Sequence, residues 1–160
     1  MERINRIIEH ETYRRCLSDI KCLEKDRIFC GHDMGHFLDV ARLAYILDLE
    51  EDIGIDRELI YAAALLHDIG RHLQYRQGIP HEQASVQLAA EILKDCGFSE
   101  EEVQQITEAI VQHRNANVRE QRTLSGLLYR SDKLSRSCFS CSAERECDWE
   151  KQKKNLGIYR

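Results

Sequence analysis

Residues 56–72 read DRELIYAAALLHDIGRH. Asp56 stands where a helix N-cap belongs, and Leu59, Ile60, Ala63, Leu66 and His67 recur at the spacing of one helix face. The uncharged run from Leu59 to Leu66 is far short of the roughly 20 residues that a membrane span requires, so it reads as a core helix. Its end is unusual, because His67 and Asp68 follow directly and Gly70 breaks the run. An inward carboxylate without a partner costs several kcal/mol, since its charge loses water and gains nothing. The pair needs a reason.

Working outward, helical spacing continues on both sides. Ile4, Ile7, Ile8, Leu17, Ile20 and Leu23 predict one helix from Glu2 to Glu24. His36, Val40, Leu43 and Leu47 predict one face of a helix over Met34 to Leu49. The polar stretch from Gly70 to Gly78 and Pro80 reads as a loop. A helix then runs from His81 to Cys96, ended by Gly97, with Cys96 read as core packing. Ser99 and Glu102 form a capping box ahead of Val103, Ile106, Ile110 and His113. Leu124, Leu127, Leu128, Asp132 and Leu134 belong to one further helix.

No alternating strand pattern or internal repeat is present. One Pro and eight Gly in 160 residues argue against the many tight turns of a β-sandwich or barrel. A 42% hydrophobic, 32% charged composition excludes a disordered chain. The expected fold is therefore an all-α, single-domain helical bundle of about six to eight helices. Residues 1–135 are its body, and the charged, Cys-bearing stretch 136–160 is a tail packed on it, with Trp149 as a candidate anchor.

Histidine is the informative residue, with seven in the chain. His36 begins an apolar stripe, His67 and His113 end two others, and Asp132 follows Leu128 by one helical turn. All four point toward one shared core. Helix bundles build metal sites from side chains on facing helices, and cations between these groups account for Asp68 and Asp132. The mixed imidazole and carboxylate set suits Fe, Mn, Zn, Ni or Co better than Ca or Mg.

In the order His36, His67-Asp68, Asp132, the chain resembles the HD-domain metal-dependent phosphohydrolases, whose signature is H…HD…D. The local sequences HDMGHFLDVARLA at 32–44, ALLHDIGRH at 64–72 and YRSDKLSR at 129–136 carry the resemblance, which covers residues 30 to 136. It implies an all-α bundle of the HD type in which those four side chains hold a divalent metal. His81 and His113 fall where two-metal members carry extra ligands, with Asp68 bridging both ions. Asp68 would then orient the water that attacks, so it is the candidate catalytic residue. Arg71 stands where many members carry Lys, and with Arg114 it is a candidate for meeting a substrate phosphate. Two departures are visible: Asp39 replaces an Arg that often follows the first metal His, and Arg114 replaces the second His of an HH pair. His72 is a weaker candidate for the same constellation, and His32, one helical turn before His36, reads first as a polar surface residue, with reaching substrate or supporting a ligand as the alternative.

The seven cysteines pose a separate question. The N-terminus MERINRIIEHE mixes both signs and lacks the apolar run of a secretory signal. The expectation is a cytoplasmic chain whose thiols are reduced or metal-bound, and an odd count agrees. Cys138, Cys141 and Cys147 group in the tail as a possible zinc or iron–sulfur site, with Cys30, Cys16 and Cys22 as candidates for a fourth ligand.

The functional expectation is hydrolysis of a small phosphorylated compound, a nucleotide first, by one or two divalent transition metals. Two alternatives stay open: a di-iron oxygenase built on the same HD framework, and a non-catalytic metal-binding regulatory module. A net charge of −5, with no basic stripe or aromatic interleaving, argues against a nucleic-acid polymer or an anionic membrane as partner. Oligomeric state is not legible.

Overall fold

A computed structural model describes residues 1–158, so Tyr159 and Arg160, the end of the expected tail, lie outside the described residues. Eight α-helices make up the described chain, and it contains no strand. They are α1 (Glu2–Glu9), α2 (Glu11–Leu23), α3 (Met34–Glu51), α4 (Arg57–Leu66), α5 (Arg71–Gln77), α6 (His81–Asp95), α7 (Glu100–Gln112) and α8 (Leu124–Leu134). Short 3₁₀ turns lie at Ala116–Val118, Cys138–Ser140 and Lys151–Lys153. The all-α expectation holds.

α4 is the axis of the bundle. Every residue from Ala62 to Leu66 is buried, and α1, α3, α6, α7 and α8 all pack against the helix. A helix that is apolar all round belongs in the interior, and the consecutive Ala62, Ala63 and Ala64 let neighbouring backbones approach it closely. Burying residues such as Leu65, Leu66 and Ile69 away from water stabilises the fold by about 1.5–3 kcal/mol each. Asp56 caps α4 by accepting from the Glu58 N–H, as the sequence suggests.

Other boundaries also follow from local chemistry. The Ser99–Glu102 capping box is complete on α7: the Ser99 hydroxyl accepts from the Glu102 N–H at 3.3 Å, and the Glu102 carboxylate accepts from the Ser99 N–H at 2.8 Å. Gly97, at a φ of 86°, lies just past the end of α6. Asp33 caps α3 and accepts from the His36 N–H at 2.9 Å, fixing His36 in the first turn.

Two expectations are corrected. The helix from Glu2 to Glu24 is two helices, because His10 takes an extended conformation (φ −61°, ψ 130°) and caps α2 through its own ring, with Nδ1 accepting from the Thr12 N–H. The stretch 71–77 is helix α5 rather than loop. Its Arg and Gln residues are good helix formers, and polarity alone concealed them. Gly78, at a φ of 71°, supplies the left-handed residue that ends α5.

Gly70 serves a close approach. A Cβ there would lie 2.5 Å from the Ser85 backbone nitrogen and 2.7 Å from the His81 carbonyl oxygen. Its own N–H donates to the Ser85 hydroxyl at 2.9 Å. The turn after α4 is thereby pressed against the start of α6, which brings His81 up to Asp68. Beyond α8, Asn155 donates to the carbonyls of Lys133, Leu134 and Arg136, tying the C-terminal segment to the end of that helix. No helix among the described residues is long and apolar enough to cross a membrane.

Candidate metal centre

Five helix ends converge on one buried point. His36 comes from the first turn of α3, and His67 and Asp68 follow the last turn of α4. His81 opens α6, His113 follows α7, and Asp132 lies in the last turn of α8. All six are buried, Asp68 to 1% relative exposure and Asp132 to 8%. Their donor atoms form two adjacent groups: His36, His67 and Asp132 in one, Asp68, His81 and His113 in the other. Within each group the ligand atoms lie within 4.8 Å of one another, and no other such group of three occurs among the described residues.

The hydrogen bonds assign the imidazole tautomers. His67 Nδ1 lies 2.7 Å from the Ala64 carbonyl, His113 Nδ1 2.6 Å from the Ile110 carbonyl, and His81 Nδ1 2.8 Å from Gln74 Oε1. A carbonyl can only accept, so each Nδ1 carries a proton and each Nε2 faces inward, offering a lone pair whenever its ring is neutral. That is how metal-ligating histidines are held from behind.

In front of those lone pairs stand carboxylates. His67 Nε2 is 3.3 Å from Asp68 Oδ2 and 3.8 Å from Asp132 Oδ1, yet it has no hydrogen-bond partner. His81 Nε2 is 3.1 Å from Asp68 Oδ1. His36 Nε2 is 3.5 Å from Asp132 Oδ1, with its Nδ1 beside the Ser135 hydroxyl. An orphaned buried nitrogen facing two anions is a site that lacks only positive charge, so the donor set fits divalent cations.

The electrostatics agree. Burial is the largest influence on His67 and would lower its pKa, but the Asp68 and Asp132 carboxylates push it up to about 9. Burial pushes His36 down to about 4, His113 to about 4 and His81 to about 3. Burial alone would raise both carboxyls. The His67 charge holds Asp68 well below the carboxylate range, and the neighbouring His36, His67 and Lys133 do the same for Asp132.

Cationic side chains surround the carboxylates. Arg71 Nε lies 3.0 Å from Asp68 Oδ1, and Lys133 Nζ lies 2.6 Å from Asp132 Oδ2. The Arg136 guanidinium reaches Asp132 Oδ1 at 3.4 Å, His36 Nε2 at 3.1 Å and the Gly31 carbonyl at 3.2 Å. Lys133 and Arg136 were not singled out by sequence reading, although their i+1 and i+4 spacing from Asp132 was visible.

The remaining candidates separate. Arg114 points away, its side chain 58% exposed and 3.7 Å from Glu82, because it follows His113 on the outer side of the helix end. His72 is buried, but its Nδ1 bonds the Ile69 carbonyl at 2.8 Å and it belongs to neither group. His32 is not a surface residue: it is 4% exposed, bonded to Glu24 at 2.5 Å, with Nε2 3.6 Å from Asp68 Oδ2. Its partner Glu24, far back at the end of α2, could not be read from spacing. Cys138 is buried and Cys141 and Cys147 half-buried in the C-terminal segment, and none of them belongs to either His/Asp group.

Comparison with known proteins agrees with this geometry. The HD domain family model matches residues 34–137, which span all five converging helices and all six side chains. A protein of Clostridium beijerinckii, described only as uncharacterized, is 45% identical over 159 residues, covering 99% of each chain. No solved structure matches the chain.

Proposed function

The chain belongs to the HD domain family, and on that premise we propose that it is a metal-dependent phosphohydrolase acting on a small phosphorylated compound, a nucleotide first among candidates. The observation that carries this reading is the pairing of two buried His/Asp groups with the cations Arg71, Lys133 and Arg136 at the same carboxylates. A site that bound metal and nothing else would gain little from three basic side chains around its carboxylates, Arg71 and Lys133 partly exposed and Arg136 buried. A phosphate would gain from them.

In this reading His36, His67 and Asp132 hold one divalent transition metal, and Asp68, His81 and His113 hold a second, with iron, manganese, nickel, cobalt or zinc fitting the donors. Such ions would make bound water acidic enough to supply hydroxide near neutral pH and would polarise a phosphoryl oxygen. Asp68, whose two oxygens face different histidines, lies between the groups and orients the attacking water. Arg71 is one-fifth exposed and offers a planar fork to phosphate oxygens. Lys133 offers a point charge from the opposite carboxylate. Residues 1–135 form the body of the domain, and the tail 136–160 begins with Arg136, which joins the site.

A screen of phosphate monoesters, diesters and anhydrides with Mn²⁺, Co²⁺ or Ni²⁺ tests this reading. We expect phosphate or pyrophosphate release that Asp68→Ala abolishes. Oxygen uptake with an organic substrate and no phosphate release would replace it with the di-iron oxygenase. No turnover of either kind in metal-replete protein would favour the regulatory module.

A further inference from the structure

Cys30, from the segment between α2 and α3, lines a small hollow together with Cys138, Cys141 and Cys147 of the C-terminal segment. The hollow measures about 10 Å³, the room of one water-sized atom. Phe29, Glu144 and Lys154 complete its lining. No disulfide joins any of the four cysteines. The other thiols lie elsewhere: Cys16 is packed in the core, where burial pushes it up to about 11, Cys96 is also buried, and Cys22 is exposed on α2.

We propose that Cys30, Cys138, Cys141 and Cys147 bind one zinc ion as a four-thiolate site. Four thiolates are a characteristic donor set of structural zinc. The turn Cys138–Ser140, closed by the Cys141 N–H on the Cys138 carbonyl at 3.2 Å, brings two of them onto one loop. Lys154 sets a cation beside the anionic site, its Nζ held by the Glu144 carbonyl at 2.6 Å and carboxylate at 3.0 Å. The four sulfurs are more widely spaced than the His/Asp donors, so zinc, at about 2.3 Å from each sulfur, draws them inward. Each thiol that binds gives up its proton to solvent.

The location gives the site a task. Cys30 is two residues from His32, which faces Asp68, and Cys138 is two residues from Arg136, which touches His36 and Asp132. Arg136 also donates to the carbonyl of Gly31. A zinc clip here fastens to each other the two segments that close over the His/Asp groups.

Cobalt substitution under reducing conditions tests the clip directly, because the His/Asp groups contain no sulfur. The expected result is thiolate-to-cobalt charge transfer and tetrahedral visible bands, lost in Cys30→Ser and in Cys147→Ser and kept in Cys22→Ser. Should the serine variants fail to fold, mercurial titration of the zinc-loaded Cys22→Ser protein serves instead, releasing one zinc as the four site thiols react. A wild-type spectrum without thiolate bands, a Cys30→Ser protein with full bands, or iron–sulfur absorption after anaerobic purification would overturn the proposal.

Discussion

The Nε2 atoms of His81 and His113 stand 3.2 Å apart inside the protein, and each ring has already committed its other nitrogen. Two lone pairs face one another there, with Asp68 Oδ1 beside them at 3.1 and 3.7 Å. Shared positive charge resolves that arrangement. His113→Ala should therefore remove one equivalent of bound metal and lower kcat/KM by at least about 100-fold, whereas Gln74→Ala, which frees His81 Nδ1, should weaken metal binding by about 10–100-fold. Metal titration of the purified variants checks both values, and unchanged binding in His113→Ala would contradict the second-ion assignment.

Gly70 holds the turn after α4 against the start of α6, with no room for a Cβ. Gly70→Ala should separate His81 from Asp68, because the obstructing atoms are two backbone atoms and the Ala84 Cβ, none of which can rotate away. The expected cost is about 1–3 kcal/mol of stability from overpacking. Loss of metal affinity should follow, concentrated in the Asp68 group. Denaturant unfolding and metal titration of the variant measure the two effects separately.

Arg71, Lys133 and Arg136 are assigned to substrate phosphate. Arg71→Ala and Lys133→Ala should raise KM for a phosphorylated substrate about tenfold or more, with smaller effects on metal content. Arg114→Ala, altering an exposed residue beside Glu82, should change KM little. Steady-state kinetics on the three variants distinguishes them, and equal effects at Arg71 and Arg114 would contradict the assignment.

Glu24 accepts from the His32 backbone N–H at 2.8 Å, pairs with its ring at 2.5 Å and accepts from the Tyr75 hydroxyl at 2.5 Å. Burial would raise its carboxyl, but these hydrogen bonds bring it down to about 2 from an ordinary 4.5. A depressed pKa stabilises the fold above the unfolded value, and that contribution is lost as pH falls from 4.5 toward 2. Glu24→Gln should cost about 1–3 kcal/mol at neutral pH. Its deficit against wild type should narrow across that acid window. Denaturation curves at several pH values test this, and a deficit independent of pH would refute it.

Much of this was legible in the residues themselves. His36, His67, His113 and Asp132 stood at apolar helical spacing, which only an inward orientation explains, and the capping box at Ser99 was written locally. The failures have a common cause. Helix α5 is polar, so its pattern carried no core-facing stripe, and its formation depends on packing beside α6 and α2. His32 looked solvent-exposed because its partner Glu24 and its neighbour Asp68 are brought to it by the tertiary fold. The break at His10 depended on a ring nitrogen capping a helix, a role that histidine seldom signals. Local chemistry was readable, and long-range pairing was not.

The central claim is that the two His/Asp groups each hold an ion. Anomalous scattering from crystals grown with saturating Mn²⁺ tests it most directly. The account predicts two peaks, one among His36, His67 and Asp132 and the other among Asp68, His81 and His113. A map with no peak at either group, or with a peak at only one, would contradict it.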